Sequence, residues 1–325
     1  MAGGGQLTNV YGREDVGGVR EQLSNLIANI SPSDTPLTTT IGKESTGDST
    51  FSWQTDVLST AAQNHQVSGF DITTYNVTAA TSRLYNYCSL SSRDFAIAGD
   101  TEAAEKAGRE SEVGYQLTKV LKELKRDVET NYTANNAAVA PNGGTAGETG
   151  SLPAFIKTNV QAGTNGSHAG WGTIPTGARS NGTEGASSET MLKKAVRQAY
   201  DQGGQPTLVM AGSYQKQQIS AFAGIAAQRA NTTLPSNVPV TILGAADGYV
   251  SDFGTLMIVP SRHQRPIDIW VLDPDGIRER IFRPYELSEM AKTGDSEKWM
   301  IVTSRGLQVD QQLAHALITD VTSTA

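Results

Sequence analysis

Four histidines, one cysteine and a scatter of aspartates are the residues of this 325-residue chain best suited to chemistry. His65, His168, His263 and His315 stand far apart. None has the H-x-H or H-x-x-x-H spacing that sets two imidazoles on one strand or helix face for zinc. Cys88 is alone, so neither an internal disulfide nor a cysteine zinc knuckle can form. A Gly-x-Ser-x-Gly nucleophile elbow is missing from the sequence. Glycine recurs at Gly144, Gly147 and Gly150, but no strand pattern precedes it and no Lys-Ser/Thr helix follows, which excludes a phosphate loop. Asp252, Asp268, Asp273 and Asp275 could meet as carboxylates, although aspartates in turns usually bond their own backbone. His263, flanked by Arg262 and Arg265, could touch an anion; a subunit contact or plain exposure are the competing roles. These patterns point away from catalysis and call for no cofactor or metal. A hydrolase assembled from distant residues is the remaining catalytic alternative.

Composition narrows the partners. Hydrophobic residues make up 38% and charged residues 18%, with Gly, Thr, Ser, Asn and Gln filling the difference. Such a chain folds around a sizeable core but carries much uncharged polar surface, as does a subunit that lays arms over its neighbours, or an adhesin. The formal net charge is -7, and the pI of 5.2 is acidic. Gripping DNA through many phosphates needs clustered Lys and Arg, and no such cluster is present. The N-terminus lacks the basic and apolar regions of a signal peptide, and no run of about 18 apolar residues exists to span a membrane. The Asn-X-Ser/Thr triplets at Asn76, Asn131 and Asn181 then follow from the abundance of Asn and Thr, and the expected compartment at synthesis is the cytosol.

These residues must be positioned by a chain of uneven character. Residues 1–45 predict an extended arm with one short helix, carrying Leu23, Leu26 and Ile27, stopped by Ser31-Pro32-Ser33-Asp34-Thr35-Pro36. With few large apolar residues, the arm must lie on another surface. Residues 46–92 predict a long two-stranded excursion. Phe51, Trp53, Thr55 and Val57 alternate with polar neighbours, the return limb Arg83–Leu90 alternates as well, and Gly69 sits near the tip. A lone hairpin is marginal in water, so it is either an edge hairpin on its own sheet or one that packs on a partner.

Residues 100–137 predict a long helix capped by Asp100 or Thr101, with Glu102 and Glu105 in its first turn. Val113, Leu117, Val120, Leu121, Leu124 and Val128 form its packing stripe, while Lys119, Lys122, Glu123, Lys125, Arg126 and Glu129 read as a solvated face. Residues 139–187 are rich in Gly, Asn, Thr and Ser, broken by Leu152, Phe155, Ile156 and Trp171, and read as a mobile insertion or a loop ordered by a partner. From 188 onward a compact α/β region is expected. Its helices are Ser188–Gln202 and Ser213–Arg229, and its strands Thr207–Ala211, Val238–Leu243, Leu256–Val259, Ile267–Leu272 and Ile277–Phe282, with a strong turn at Asp273-Pro274-Asp275-Gly276. Strands at Trp299–Thr303 and Leu307–Val309 and a closing helix over Gln311–Thr319 complete the reading.

The order of these parts, with several local signatures, resembles the tailed-bacteriophage major capsid proteins with the Hong Kong 97-type fold. The signatures are Arg20-Glu21-Gln22-Leu23, Asn29-Ile30-Ser31-Pro32, Thr35-Pro36-Leu37 and Ile41-Gly42-Lys43, then the limb containing Trp53. Further along come Glu123-Leu124-Lys125-Arg126-Asp127-Val128-Glu129 and Tyr249-Val250-Ser251-Asp252-Phe253-Gly254. Val271-Leu272-Asp273-Pro274, Phe282-Arg283-Pro284 and Ala291-Lys292-Thr293-Gly294-Asp295-Ser296 complete the series.

The resemblance implies an α+β fold with an N-terminal arm (1–45) and an extended β-hairpin loop (46–92). A peripheral domain (93–187) follows, with a spine helix at 100–137, then an axial domain (188–285) and a return to the peripheral domain (286–325). It implies a structural subunit, self-assembling into hexamers and pentamers of an icosahedral shell around double-stranded DNA, with no sequence-specific binding to that DNA. A portal would be a partner, and a decoration protein is a further candidate. Trp53, Phe51, Phe70, Tyr85, Tyr87, Arg262, His263 and Arg265 are the candidate subunit contacts. Some members weld subunits through a loop lysine; from Glu44 to Leu90 this chain has none, so no such crosslink is expected. Only a short polar stretch precedes Gly18, so scaffolding is expected from a separate protein. A phage tail or fibre protein, or an adhesin, is the alternative that the Thr, Asn and Gly content would also fit.

Overall fold

The computed structural model describes residues 34–72, 75, 80–105, 111–168, 175, 177–222 and 248–324. The arm helix around Leu23, Trp171 and the strand over Val238–Leu243 lie outside the described residues, as do residues 223–229 of the helix expected over Ser213–Arg229, whose described part ends at Ser220.

The chain opens with α1 (Pro36–Thr40), β1 (Gly42–Ser45), β2 (Thr50–Thr55), β3 (Ser82–Tyr87) and β4 (Ser89–Ala98). Then come α2 (Gly99–Ala103), α3 (Glu112–Thr133), α4 (Leu152–Phe155), β5 (Val160–Gln161), β6 (Ser167–His168) and β7 (Arg179–Ser180). The rest is α5 (Glu189–Asp201), β8 (Leu208–Ala211), α6 (Ser213–Ser220), β9 (Gly248–Ser251), β10 (Gly254–Pro260), β11 (Ile269–Leu272), β12 (Ile277–Met290), β13 (Ser296–Val309) and β14 (Ala316–Ile318). A four-stranded sheet has the order β1-β12-β13-β4, and a six-stranded sheet the order β5-β14-β11-β8-β10-β9.

The six-stranded sheet is buried on both faces at its centre, because successive side chains of a strand point to opposite sides. Val209 and Ala211 of β8, Ile269 and Val271 of β11 and Ala316 and Ile318 of β14 face a core closed by Leu192, Ala195, Val196 and Ala199 of α5. The intervening Leu208, Met210, Trp270, Leu272 and Leu317 face a second core with Leu37, Tyr132, Phe155, Leu307 and Val309. That second core therefore fuses the two sheets, α1, α3 and α4 into one body. A third, smaller core seats Val120 and Leu124 of α3 against Ile301 of β13.

Three expectations change. The single helix over 100–137 is instead α2 and α3: Ala104 turns extended (ψ 140), Ser111 caps a fresh helix by accepting the Gly114 N–H, and the helix stops at Thr133. Glu102, expected in the first turn of one helix, instead accepts the Glu112 N–H at 2.9 Å. The closing helix over Gln311–Thr319 is a 3₁₀ turn followed by β14, whose Ala316-Leu317-Ile318 pairs with β11. An apolar run buried on both faces shows no alternation, so its period does not separate strand from helix. The insertion is not wholly mobile or ordered by a partner either: Leu152, Phe155 and Ile156 are fully buried in the second core. Elsewhere the expected α5, β8, β10, β11 and β12 are present, and the two late strands merge into β13. Among the described residues no helix is long and apolar enough to cross a membrane.

His315 sits where β14 meets the turn after β11. Its Nδ1 accepts the Asp273 N–H at 3.2 Å, and burial pushes its pKa down to about 4 from 6.5. The unfolded chain therefore takes a proton that the folded one refuses, so this contribution is complete above pH 6.5 and is lost as pH falls towards 4. Glu129 and Asp268 act in the opposite sense, since burial raises both carboxyls. The H315N variant is expected to lose stability less steeply than the native chain across that window, by up to about 1.4 kcal/mol per pH unit, in denaturant titrations at stepped pH.

Candidate functional site

The β2–β3 hairpin pairs antiparallel from Thr50↔Tyr87 to Thr55↔Ser82. This register puts Phe51, Trp53, Leu84 and Asn86 on one face and Tyr85 and Tyr87 on the other. The first face is rooted in the chain's own body. Phe51 is 5% exposed, stacks on Trp53 at 5.9 Å and lies over Gly306, where an added Cβ would come within 2.5 Å of its ring. Trp53 in turn meets Phe155 at 6.3 Å.

Asn86 fixes the root. Fully buried, it donates to the Leu307 carbonyl at 2.7 Å and to Thr149 Oγ1 at 3.1 Å, and its oxygen accepts from Tyr87 N and Gly150 N. One carboxamide thus ties the hairpin, the insertion and β13. Beyond this root the connecting loop turns outward. Val57 (66% exposed), Leu58 (93%), Val67 (76%), Phe70 (50%), Ile72 (56%) and Tyr75 (81%) stand in solvent.

The arm is clamped by Glu129. Its two carboxylate oxygens accept from Leu37 N at 2.8 Å and Thr38 N at 2.9 Å, the free donors at the start of α1. Pro36 supplies the first helical position, where its missing N–H costs nothing. Burial pushes the Glu129 carboxyl up, and the two backbone N–H groups oppose that shift. Nearby, Thr133 Oγ1 donates to the His263 carbonyl at 2.9 Å, joining the end of α3 to the loop between β10 and β11. A second buried charge group links β12 and β13: Arg305 Nη1 meets Glu279 at 3.0 Å, Tyr132 donates to the same carboxylate at 3.2 Å, and the guanidinium lies 4.0 Å over the Tyr285 ring. A third, Arg179–Asp320 at 2.8 Å, locks the insertion to the residues after β14.

The candidate contacts therefore divide. Phe51 leaves that set, because it is enclosed by its own subunit, and Trp53 is largely spent on the root. Tyr85 and Tyr87 form an edge-on pair at 6.0 Å on the outer face, and Phe70 stands on the exposed loop. Arg262, His263 and Arg265 do not converge into an anion site: Arg265 is engaged by Asp268 at 3.2 Å and Asn181 at 2.5 Å, and Arg262 points to solvent. Asp268 is not a turn residue bonding its own backbone; it accepts from Thr319 Oγ1 at 2.6 Å in the core. Asp273 does take the Asp275 N–H at 3.3 Å. Among the described residues no group of three or more His, Cys, Asp or Glu could hold a metal ion. Cys88 is buried, and burial pushes its thiol up to about 12, which keeps it unreactive. Sequence patterns did not mark Asn86, Glu129 or Arg305: each is a polar residue that only the tertiary fold turns inward.

An outward apolar loop on a rooted hairpin, an arm clamped to a long helix and two sheets sharing one core define a shell subunit of the Hong Kong 97-type fold. Solved structures share this architecture. The capsid asymmetric unit of cyanophage A-1(L) superposes with a TM-score of 0.70 at 15% identity, covering 97% of this chain and 100% of that one. The capsid of a native GTA particle gives 0.62 at 9% identity over 95% and 98%. The encapsulin of the holo-SrpI complex from Synechococcus elongatus PCC 7942 gives 0.55 at 12% identity over 98% of both chains. The chain belongs to the SU10 major capsid protein family, whose profile matches residues 5–322. It is also 32% identical over 116 residues to the major capsid protein of Escherichia phage Phieco32; that match spans 35% of this chain and 33% of the relative's length. Family membership sets aside the fibre and adhesin alternatives.

Two substitutions test the anchors. E129A leaves the buried Leu37 N–H and its neighbour without acceptors and is expected to cost about 2 kcal/mol in denaturant unfolding, with protease cuts appearing first near α1. N86A strands the Leu307 carbonyl and the Gly150 N–H and is expected to cost about 2–3 kcal/mol by the same measurement.

Proposed function

We propose that many copies of this major capsid protein close into an icosahedral shell of hexamers and pentamers around phage double-stranded DNA, held by non-covalent overlap of the 46–92 loop. One observation carries this reading: beyond a root fixed by Phe51, Trp53 and Asn86, the loop presents Val57, Leu58, Val67, Phe70, Ile72 and Tyr75 to solvent. An apolar surface that a chain cannot bury itself marks a binding face. A repeated subunit can bury it on the next copy. Tyr85, Tyr87, Phe70 and Arg262 are the residues proposed to meet neighbours.

In this reading residues 1–45 form the arm. Residues 93–187 with the return segment 286–325 form the peripheral domain and 188–285 the axial domain, whose six-stranded sheet takes β14 from the return segment. The subunit itself performs no catalysis. The absence of lysine between Glu44 and Leu90 favours a shell without loop-lysine welds, and the net charge of -7 favours DNA that packs without adhering to the wall. A separate scaffolding protein, a portal and a possible decoration protein are the further partners, with assembly in the host cytoplasm.

The test replaces the span between Thr55 and Ser82 by a short turn. The shortened chain is expected to keep its circular dichroism and unfolding midpoint, since the root lies below the cut, yet to form no particles by sedimentation and negative-stain microscopy. Particles of native size from the shortened chain, or a native chain that remains monomeric under every assembly condition, would sink the proposal.

A further inference from the structure

Three Asn-Gly steps lie between α3 and α5: Asn142-Gly143, Asn165-Gly166 and Asn181-Gly182. Glycine leaves the following backbone nitrogen unhindered, so each pair could undergo the same intrachain attack on the asparagine carboxamide. The structure treats the three very differently.

Asn142 stands at the tip of a small hairpin. Its N–H donates to the Thr145 carbonyl at 3.0 Å, and Thr145 N returns the bond at 2.8 Å, leaving Gly143 and Gly144 as the turn. Residues 141–146 are exposed, and a Cβ built on Gly143 or Gly144 would meet nothing within 4 Å. The Gly143 nitrogen lies against the Asn142 side chain, donating to its Oδ1 at 2.7 Å. Nothing packed around this tip opposes rearrangement.

The other two steps are held. Asn165 has a φ of 66°, and the Gly166 N–H is engaged by the Gly163 carbonyl at 3.1 Å. The space beside Gly166 is filled by the buried Asp320 and Arg179 side chains. The Asn181 carboxamide is gripped by Arg265 at 2.5 Å, and backbone atoms of Gly166, Thr164 and Gly163 close over Gly182.

We infer that Asn142 is a site of spontaneous covalent modification, converting to aspartate or isoaspartate through a ring closed on Gly143. The Gly143 nitrogen gives its proton to solvent base and forms a bond to Cγ of Asn142. The Cγ–NH2 bond breaks, and ammonia leaves with a proton taken from water. Water then adds to one of the two ring carbonyls, and the matching C–N bond breaks. Opening at the side-chain carbonyl gives aspartate; opening at the main-chain carbonyl routes the backbone through Cγ and gives isoaspartate. No oxidant or reductant takes part. Each converted copy gains one carboxylate over its formal charge of -7, so a shell of many copies becomes more acidic with age.

The intact chain, both unassembled and as particles, is held in warm, mildly alkaline buffer and digested. Each Asn-Gly peptide is scored by mass for deamidation and by retention for isoaspartate. In the folded protein Asn142 is expected to convert about tenfold faster than Asn165 or Asn181, because its nucleophile alone is both positioned and unconstrained. In urea the three rates should fall within about twofold of one another, since the local frames are gone. The N142Q variant should lose the acidic shift on isoelectric focusing, and G143A, whose methyl enters open space, should slow conversion with the fold intact. Equal folded-state rates at the three sites would overturn the assignment. So would an Asn142 that stays intact in the folded protein but converts in urea.

Discussion

The antiparallel pairing of β12 with β13 is the interaction on which the other parts of the subunit depend. Each strand has 14 residues, and from Ile301 to Val309 no side chain of β13 is exposed. One edge of β13 takes β12 and the other takes β4. Its Leu307 carbonyl receives Asn86, its Gly306 makes room for Phe51, and Leu307 and Val309 reach into the core shared with the six-stranded sheet. Hairpin root, spine helix and both sheets therefore report to one strand. The register shifts twice between Ile281 and Glu286, around Pro284, where two extra residues of β12 bend and twist the pair.

Charge is buried at the seams between distant segments. Glu279 opposes Leu307 in the register, so Arg305 is its diagonal neighbour on the same face. Tyr132 brings α3 to that pair, Glu129 brings α1 to α3, and Arg179–Asp320 brings the insertion to the chain end. Buried ion pairs add little over a well-packed apolar substitute, yet removing one partner is costly. Their effect here is selective: they penalise every arrangement in which these segments meet in another register.

Much of this was legible beforehand, for identifiable reasons. The alternation of Phe51, Trp53 and Thr55 located β2 because one of its faces is covered and the other is not. The Val120-Leu124-Val128 stripe located α3 for the same reason, and the helix expected from Ser188 is α5, where the structure adds a Ser188 side-chain cap on the Met191 N–H. Elements covered on both sides escaped: β14 lacks a polar face, so its period said nothing. Long-range polar contacts escaped too. Glu129 sits among Lys122, Lys125 and Arg126 and reads as part of a wet face, but the helix turns it towards residues 91 or 92 positions away in sequence. Phe51 and Trp53 were legible as apolar, while their direction, inward to the root rather than outward to a neighbour, depended on Gly306 and Phe155.

That division of the hairpin bears on how the proposed overlap could hold without a covalent weld. A fully buried Leu, Val or Phe contributes roughly 1.5–3 kcal/mol, whereas ordering each backbone residue costs about 1–2 kcal/mol. A wholly flexible loop would spend most of its apolar gain on being ordered. The structure removes part of that cost in advance, because Phe51, Trp53 and Asn86 fix both ends of the loop before any neighbour arrives. Each overlap then stays modest and reversible, which lets a misplaced subunit leave. In the proposed shell, strength would come instead from every subunit both giving and receiving a loop. A loop root that was loose would make the proposed contact weaker and its register uncertain, so in that assembly the buried carboxamide of Asn86 would act through the aim of the loop as well as through folding.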